Sequence, residues 1–283
     1  MTVAIACTVP DGVILGVDSA VTIGDPTNPL KVYEDAEKIF HLGKLPVGIA
    51  IYGAAGFGQR TIGSYLREFE LRNPSGVLDE GKGSLKDIVE QLRSFFMAEY
   101  TTTMVPLVEA FRKKRFDEIP ENERPGVGLI VAGFSSKSFL PEVWNVLIPL
   151  CSKPESAVQS ISPGKLGSAW FASCAPVARY IKGYDPELAN AVMARFTAIL
   201  GRSLTPDEGK SLQDVLAASE YQIVFDAMPL QRGIEYVRFL VQLVISHHKF
   251  AVGAPIVGGS PRIGVVTYKG GEFKIIGMED IGT

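Results

Sequence analysis

The stretch TVAIACTVPDGVILGVDSAVT, residues 2–22, decides the fold. Small and β-branched residues run from Thr2 to Thr8, VPDG (9–12) is a turn signal, and VILGVDS (13–19) is a second apolar run. Together they predict a β-hairpin that begins at the second residue of the chain. With Asp11-Gly12 as the loop, Thr8 faces Leu15 and Thr2 faces Val21; a four-residue loop shifts the pairing by one or two positions. In either register Asp18 lies a few residues diagonally from Thr2, and a rise of roughly 3.3 Å per residue keeps both in one small region.

Working outward, GDPTNP (24–29) reads as a polar loop, and EKIFHL (37–42) and VGIAIYG (47–53) as a second strand pair around GKLP (43–46). In that pair Lys38 lies opposite Ile51 and Gly53 near Ala36. The hydrophobic period then changes from two to that of a helix. Residues 57–71 read as one helix and 85–117 as a long helix or two, with a kink at Pro106. Strands return at 127–134 and 142–148. Two helices follow between 176 and about 226, split at GRSLTPDEG (201–209), where Thr205 caps a helix that starts at Pro206. A further helix spans 230–249, and strands at 262–268 and 273–278 flank KGG (269–271).

This order is not a regular βαβ alternation, which argues against a doubly wound parallel sheet. Antiparallel hairpins with segregated helices predict an α+β fold of two stacked sheets covered by helices, a four-layer αββα sandwich. With no linker-like tract, repeat or low-complexity segment, the chain reads as a single domain over residues 1–283.

Composition excludes several function classes. A net charge of -3 predicts no electrostatic attraction to nucleic acid or to an anionic membrane. The longest apolar runs, such as FLVQLVI (239–245), are too short to span a bilayer. Cys7, Cys151 and Cys174 form no CxxC pair, which argues against a disulfide framework and a zinc site and fits a cytoplasmic location. His247 and His248 precede Lys249 at a helix end, where cations suit the helix dipole, and no third metal ligand accompanies them.

If the two hairpins share a sheet, Thr2, Asp18, Lys38 and the Gly53 backbone converge. That set is chemically coherent. Removal of Met1 gives Thr2 a free α-amine, with an ordinary pKa near 8, beside its own hydroxyl. The amine is then the base that a weak hydroxyl nucleophile needs. A nearby ammonium lowers the amine's pKa and stabilises the attacking oxygen. A carboxylate holds that ammonium in place, and a glycine N–H receives the oxyanion.

These residues resemble the opening of proteasome β-type subunits, which belong to the N-terminal nucleophile hydrolases. The resemblance rests on Thr2, the Asp11-Gly12 turn, Asp18-Ser19, Lys38 in EKIFHL, and YGAAG at 52–56. It is strongest over residues 2–60, returns in GLIVAGF and EVWNVL (128–147), and is faint in GSAWFASCAP (167–176) and VGGSPRIGVVTY (257–268). The pattern looks closer to the bacterial proteasome-like branches, such as Anbu, than to the eukaryotic subunits. The resemblance implies that Thr2 is nucleophile and base, Lys38 tunes the amine, Asp18 is its partner, Gly53 is the oxyanion donor and Ser173 supports the amine. It also implies a substrate pocket lined by Val21, Thr22, Ala36, Phe40, Ile51 and Ala55, suited to an apolar side chain.

Further implications are a peptide or unfolded-protein substrate, no metal or organic cofactor, and a homo-oligomeric ring or helical assembly; the resemblance specifies no ATPase or adaptor partner. The chain departs from the family late in its length. An acidic residue and a serine usually precede a Gly-Gly pair, and here Ala254 and Val257 stand in those positions. Two alternatives follow: a non-catalytic assembly subunit, and an amidase acting on a small-molecule amide.

Overall fold

The structure, a computed structural model, describes residues 2–25, 28–43, 45–73, 84–135, 138–149, 157–252, 256–267 and 273–276. Ala254, Cys151 and the KGG turn lie outside them. The chain opens with β1 (Val3–Val9), β2 (Gly12–Val17), β3 (Val21–Asp25) and β4 (Asn28–Tyr33). β5 (Ile39–His41), β6 (Val47–Gly53), β7 (Gly56–Phe57) and β8 (Arg60–Thr61) follow, leading into α1 (Ile62–Arg72) and α2 (Leu85–Arg112). Next come β9 (Val127–Phe134), β10 (Pro141–Ile148), β11 (Ala157–Ile161) and β12 (Gly167–Ala172). Helices α3 (Ala175–Lys182), α4 (Pro186–Leu200), α5 (Pro206–Ala217) and α6 (Leu230–Phe250) precede β13 (Arg262–Thr267) and β14 (Phe273–Ile276).

The strands make two five-stranded sheets, ordered β12-β1-β2-β13-β14 and β11-β10-β9-β6-β5. The two opening hairpins therefore do not share a sheet. Val9 pairs with Gly12 and Ala4 with Val17, so the β1–β2 loop is Pro10-Asp11 and the register is shifted by two from the Asp11-Gly12 pairing. The physical reason lies in Gly12: a Cβ there would meet the Val266 carbonyl at 2.6 Å, so this glycine serves the close approach of β13 and not the turn. In the second hairpin Ile39 pairs with Ala50, and the Ile51 N–H donates to the Lys38 carbonyl at 2.9 Å, as the sequence predicts.

Three apolar clusters hold the elements together. Val3, Ile5 and Cys7 of β1 pack with Ile234, Val237 and Val241 of α6, and Val177 and Ile181 of α3. A Cβ at Gly16 would lie 2.3 Å from Val237, so the absent side chain lets α6 approach β2. Ala4 and Ala6, on the alternate face of β1, join Leu15 and Val17 in a cluster with Ala50, Ile130 and Ala132 of the second sheet. Small residues on that face allow close approach of the two sheets. The third cluster joins β6, β9 and β10 to α1 and α2, with Phe57, Tyr65, Phe96 and Tyr100 in edge and tilted ring contacts.

The helix at 57–71 begins later than the periodicity suggests: residues 56–61 form the small β7–β8 hairpin, and Thr61 caps α1 through the Ser64 N–H. α2 runs unbroken through Pro106 and starts at a Ser84–Asp87 capping box. The region from 176 to 226 holds three helices, because Gly183 in the left-handed conformation ends α3. The Thr205–Glu208 capping box starts α5 as expected. Within the stretch 24–29, which the sequence suggests as a loop, Gly24 pairs with Pro29 and Asp25 with Asn28 in the β3–β4 ladder, with a register irregularity at Ile23/Gly24; residues 26 and 27 lie outside the described residues. Among the described residues no helix is long and apolar enough to cross a membrane.

Candidate active site

Thr2, one position before β1, follows the alternation that puts Ala4 and Ala6 on the inter-sheet face. Across that face stands Lys38, just ahead of β5. Its Nζ donates to Thr2 Oγ1 at 3.0 Å and to Asp18 Oδ1 at 2.9 Å. All three side chains are buried: Thr2 is 5% exposed, Asp18 0% and Lys38 4%.

Asp18 follows β2 and is over-determined by backbone donors. The Val3 N–H reaches Oδ1 at 3.2 Å, while the N–H groups of Ala20 and Gly258 reach Oδ2 at 3.2 and 3.3 Å. Burial nonetheless raises the Asp18 pKa, opposed by the Lys38 charge and by the hydrogen bonds from Lys38, Gly258 and Val3. Burial likewise lowers the Lys38 pKa, opposed by Asp18. The site thus holds an ammonium that releases its proton more readily than an exposed lysine, beside a hydroxyl that it can stabilise as an alkoxide.

The loop before β13 clamps this arrangement. Ser19 Oγ accepts the Ser260 N–H at 2.9 Å and donates to the Glu34 carbonyl. Gly259 permits that clamp with φ +71°; a Cβ there would lie 2.3 Å from Ser19 Oγ and 2.5 Å from the Glu34 oxygen. Gly259→Ala is therefore expected to cost about 1–3 kcal/mol of stability. The check is a lower urea midpoint at unchanged slope. Val257, where a serine is usual in the resembled family, is buried in the apolar cluster under α6 and offers no hydroxyl.

In front of Thr2 opens a cavity of about 440 Å³. Thr2, Val21, Thr22, Ala36, Lys38, Phe40, Ile51, Gly53 and Ala55 all line it. Gly53 ends β6 with φ +85°, a conformation that favours glycine; a Cβ there would meet the Gly126 carbonyl at 2.4 Å. Asp18 lies behind Lys38 and does not line the cavity.

Ser173 does not line the cavity either. Its N–H donates to the Thr2 carbonyl at 2.9 Å, and its hydroxyl lies 3.1 Å from His248 Nε2. Burial, then the neighbouring His247 charge and the chain's amino terminus, lower the His248 pKa, opposed by Asp18. Cys174 is half-buried at the start of α3, with a free thiol whose pKa burial raises.

The sequence did not reveal Tyr33, Tyr52, Glu37 and Arg67 around the cavity. Tyr33 comes from the β3–β4 hairpin and Arg67 from the exposed side of α1, so each needed an element boundary that local pattern does not mark. Glu37 and Arg67 add charge to walls that are otherwise mostly apolar.

Two five-stranded sheets joined by an apolar interface, with a buried Thr–Lys–Asp set between them, define a proteasome-like fold of mixed helix and sheet. In structure the chain is similar to the helical assembly of the Anbu complex from Pseudomonas aeruginosa, with a TM-score of 0.52 and 13% sequence identity over 99% of this chain and 88% of that one. No family model matches the sequence, and no curated protein matches it either.

Proposed function

We propose that this chain is a threonine-type peptidase in which Thr2, freed by removal of Met1, is the nucleophile. One observation carries the proposal: the Lys38 ammonium lies 3.0 Å from Thr2 Oγ1 and 2.9 Å from Asp18, at the head of a cavity. The α-amine of Thr2 takes the proton of its own hydroxyl, and Lys38 stabilises the oxygen that attacks a carbonyl. The Gly53 N–H donates to the tetrahedral oxyanion. The amine returns the proton to the leaving nitrogen, leaving an ester on Oγ1, and a water activated by the same amine releases the acid. The mostly apolar cavity suits an apolar side chain of a peptide or unfolded protein.

The same reading makes residues 1–283 one domain, a four-layer αββα sandwich that assembles with copies of itself. Self-assembly is supported by the likeness to a helical assembly and by α4 and α5, which bury no residue yet expose Phe196, Ile199 and Val215. A second reading, a non-catalytic assembly subunit, is favoured by that surface together with the apolar Val257.

Intact mass of the purified protein, with and without a peptide epoxyketone, separates the two. The expected result is loss of Met1 and one adduct, mapped to residue 2 and absent from Thr2→Ala. A processed chain that stays unmodified overturns the peptidase assignment.

A further inference from the structure

Residue 2 has a second polar neighbour on the side away from Lys38. Ser173 stands one step beyond the Val3–Ala172 pair, directly across from Thr2. Along β12, Trp170 packs toward α6, while Ala169 and Phe171 pack toward the inter-sheet cluster. Continued alternation would send Ser173 to the inter-sheet side. Ala172 breaks the alternation with φ +63°, a left-handed conformation that costs a non-glycine residue about 1–2 kcal/mol. Beyond that turn the Ser173 hydroxyl meets His248 Nε2 at 3.1 Å, near the C-terminal end of α6.

We propose that His248 is a positioning residue for the amine of residue 2, acting through the Ser173 hydroxyl. The proposal rests on the reading of that amine as the base. A neutral imidazole accepts the Ser173 proton at Nε2, which leaves the serine lone pairs free to accept an N–H from the amine. The amine's own lone pair is then directed elsewhere, toward Oγ1 or a water. An imidazolium must donate instead. It reverses the serine hydroxyl and brings a positive charge toward a group that is needed neutral.

The groups around His248 set which form prevails. His247 and Lys249 flank it on α6, Cys174 adjoins Ser173 at the start of α3, and Asp18 lies beyond residue 2. Burial, His247 and the charge of the chain's amino terminus disfavour the imidazolium, and Asp18 favours it. The net lowering favours the neutral ring and moves its titration to the acid side of an ordinary imidazole.

The test is the reactivity of the residue-2 amine, read independently of peptide turnover. The full chain is prepared with Thr2 freed from a cleavable N-terminal fusion. Cyanate converts only the neutral amine to a urea, and the rate is followed on the N-terminal peptide from pH 5 to 9. Wild type is expected to show two inflections, from the amine and from His248. His248→Gln, which offers a non-titrating acceptor near the Nε2 position, keeps the rate at pH 7 and loses the acid inflection. His248→Ala loses that inflection and changes the pH 7 rate by about tenfold, the effect of one hydrogen bond.

A thermal melt confirms that each variant is folded, and either one decides the question if the other fails to fold. Profiles identical to wild type in the folded variants overturn the proposal. Failure of the peptidase reading looks different: two inflections in wild type, but no epoxyketone adduct at Thr2.

Discussion

Lys38→Ala is expected to lower peptide turnover, and epoxyketone attachment at Thr2, by about 10³-fold. Among the described residues no other side chain hydrogen-bonds Thr2 Oγ1, and the ammonium touches Asp18 as well. Lys38→Arg does not restore activity, because a planar guanidinium does not fit a buried position shaped for an ammonium point charge between Asp18 and Thr2. The loss falls on kcat, since the ammonium acts on the attacking oxygen and leaves the walls of the cavity intact.

A pH dependence comes with this variant. Without Lys38, burial acts on Asp18 unopposed by its counter-ion and raises its folded pKa further above the unfolded 3.8. A group raised in the folded state contributes stability in its protonated form, and that contribution is lost as pH rises through the folded value. The variant's stability deficit is therefore smallest below pH 3.8 and grows as pH rises above it. Urea midpoints measured from pH 3 to 8 check the sign; a deficit that shrinks as pH rises contradicts it.

The position of Lys38 within its own hairpin was readable because its register depends on one short loop, whereas its approach to Thr2 comes from the stacking of two sheets and not from the shared sheet the sequence suggests. Residues 43–46 bound the second hairpin closely, so Lys38 falls opposite Ile51 in sequence and in structure. The first hairpin was misjudged by two positions because Gly12 looks like a turn glycine. Its actual constraint, the Val266 carbonyl on β13, is more than 250 residues away in sequence. The error did no harm to the site: Thr2 keeps the parity of Ala4 and Ala6, and parity alone aims it at the other sheet.

Other misses share that cause. β11 and β12 carry half-exposed patterns without a clean apolar stripe. Ser173 and His248 are 75 residues apart in sequence, joined by a left-handed alanine that no propensity predicts. Long-range contacts of this kind leave no local period to read.

The Asp18–Lys38 pair is also expected to be kept for chemistry at the expense of stability, which a double-mutant cycle can measure. Burial moves both groups toward their neutral forms, so each charge alone is disfavoured and the 2.9 Å contact offsets only part of that cost. Lys38→Met should therefore destabilise by about 3–5 kcal/mol, because it strands Asp18 among the N–H groups of Val3, Ala20 and Gly258. Adding Asp18→Asn removes the stranded charge while its amide oxygen still accepts from Ala20 and Gly258. The double variant should be more stable than Lys38→Met alone, with a coupling energy of roughly 1–3 kcal/mol across the cycle. It should also be inactive, since no cation faces Thr2. Urea denaturation of wild type, both single variants and the double variant at pH 7 gives the coupling directly. A value near zero means that the two charges do not interact in the folded protein, and Asp18 then has no part in holding the ammonium against Thr2 Oγ1.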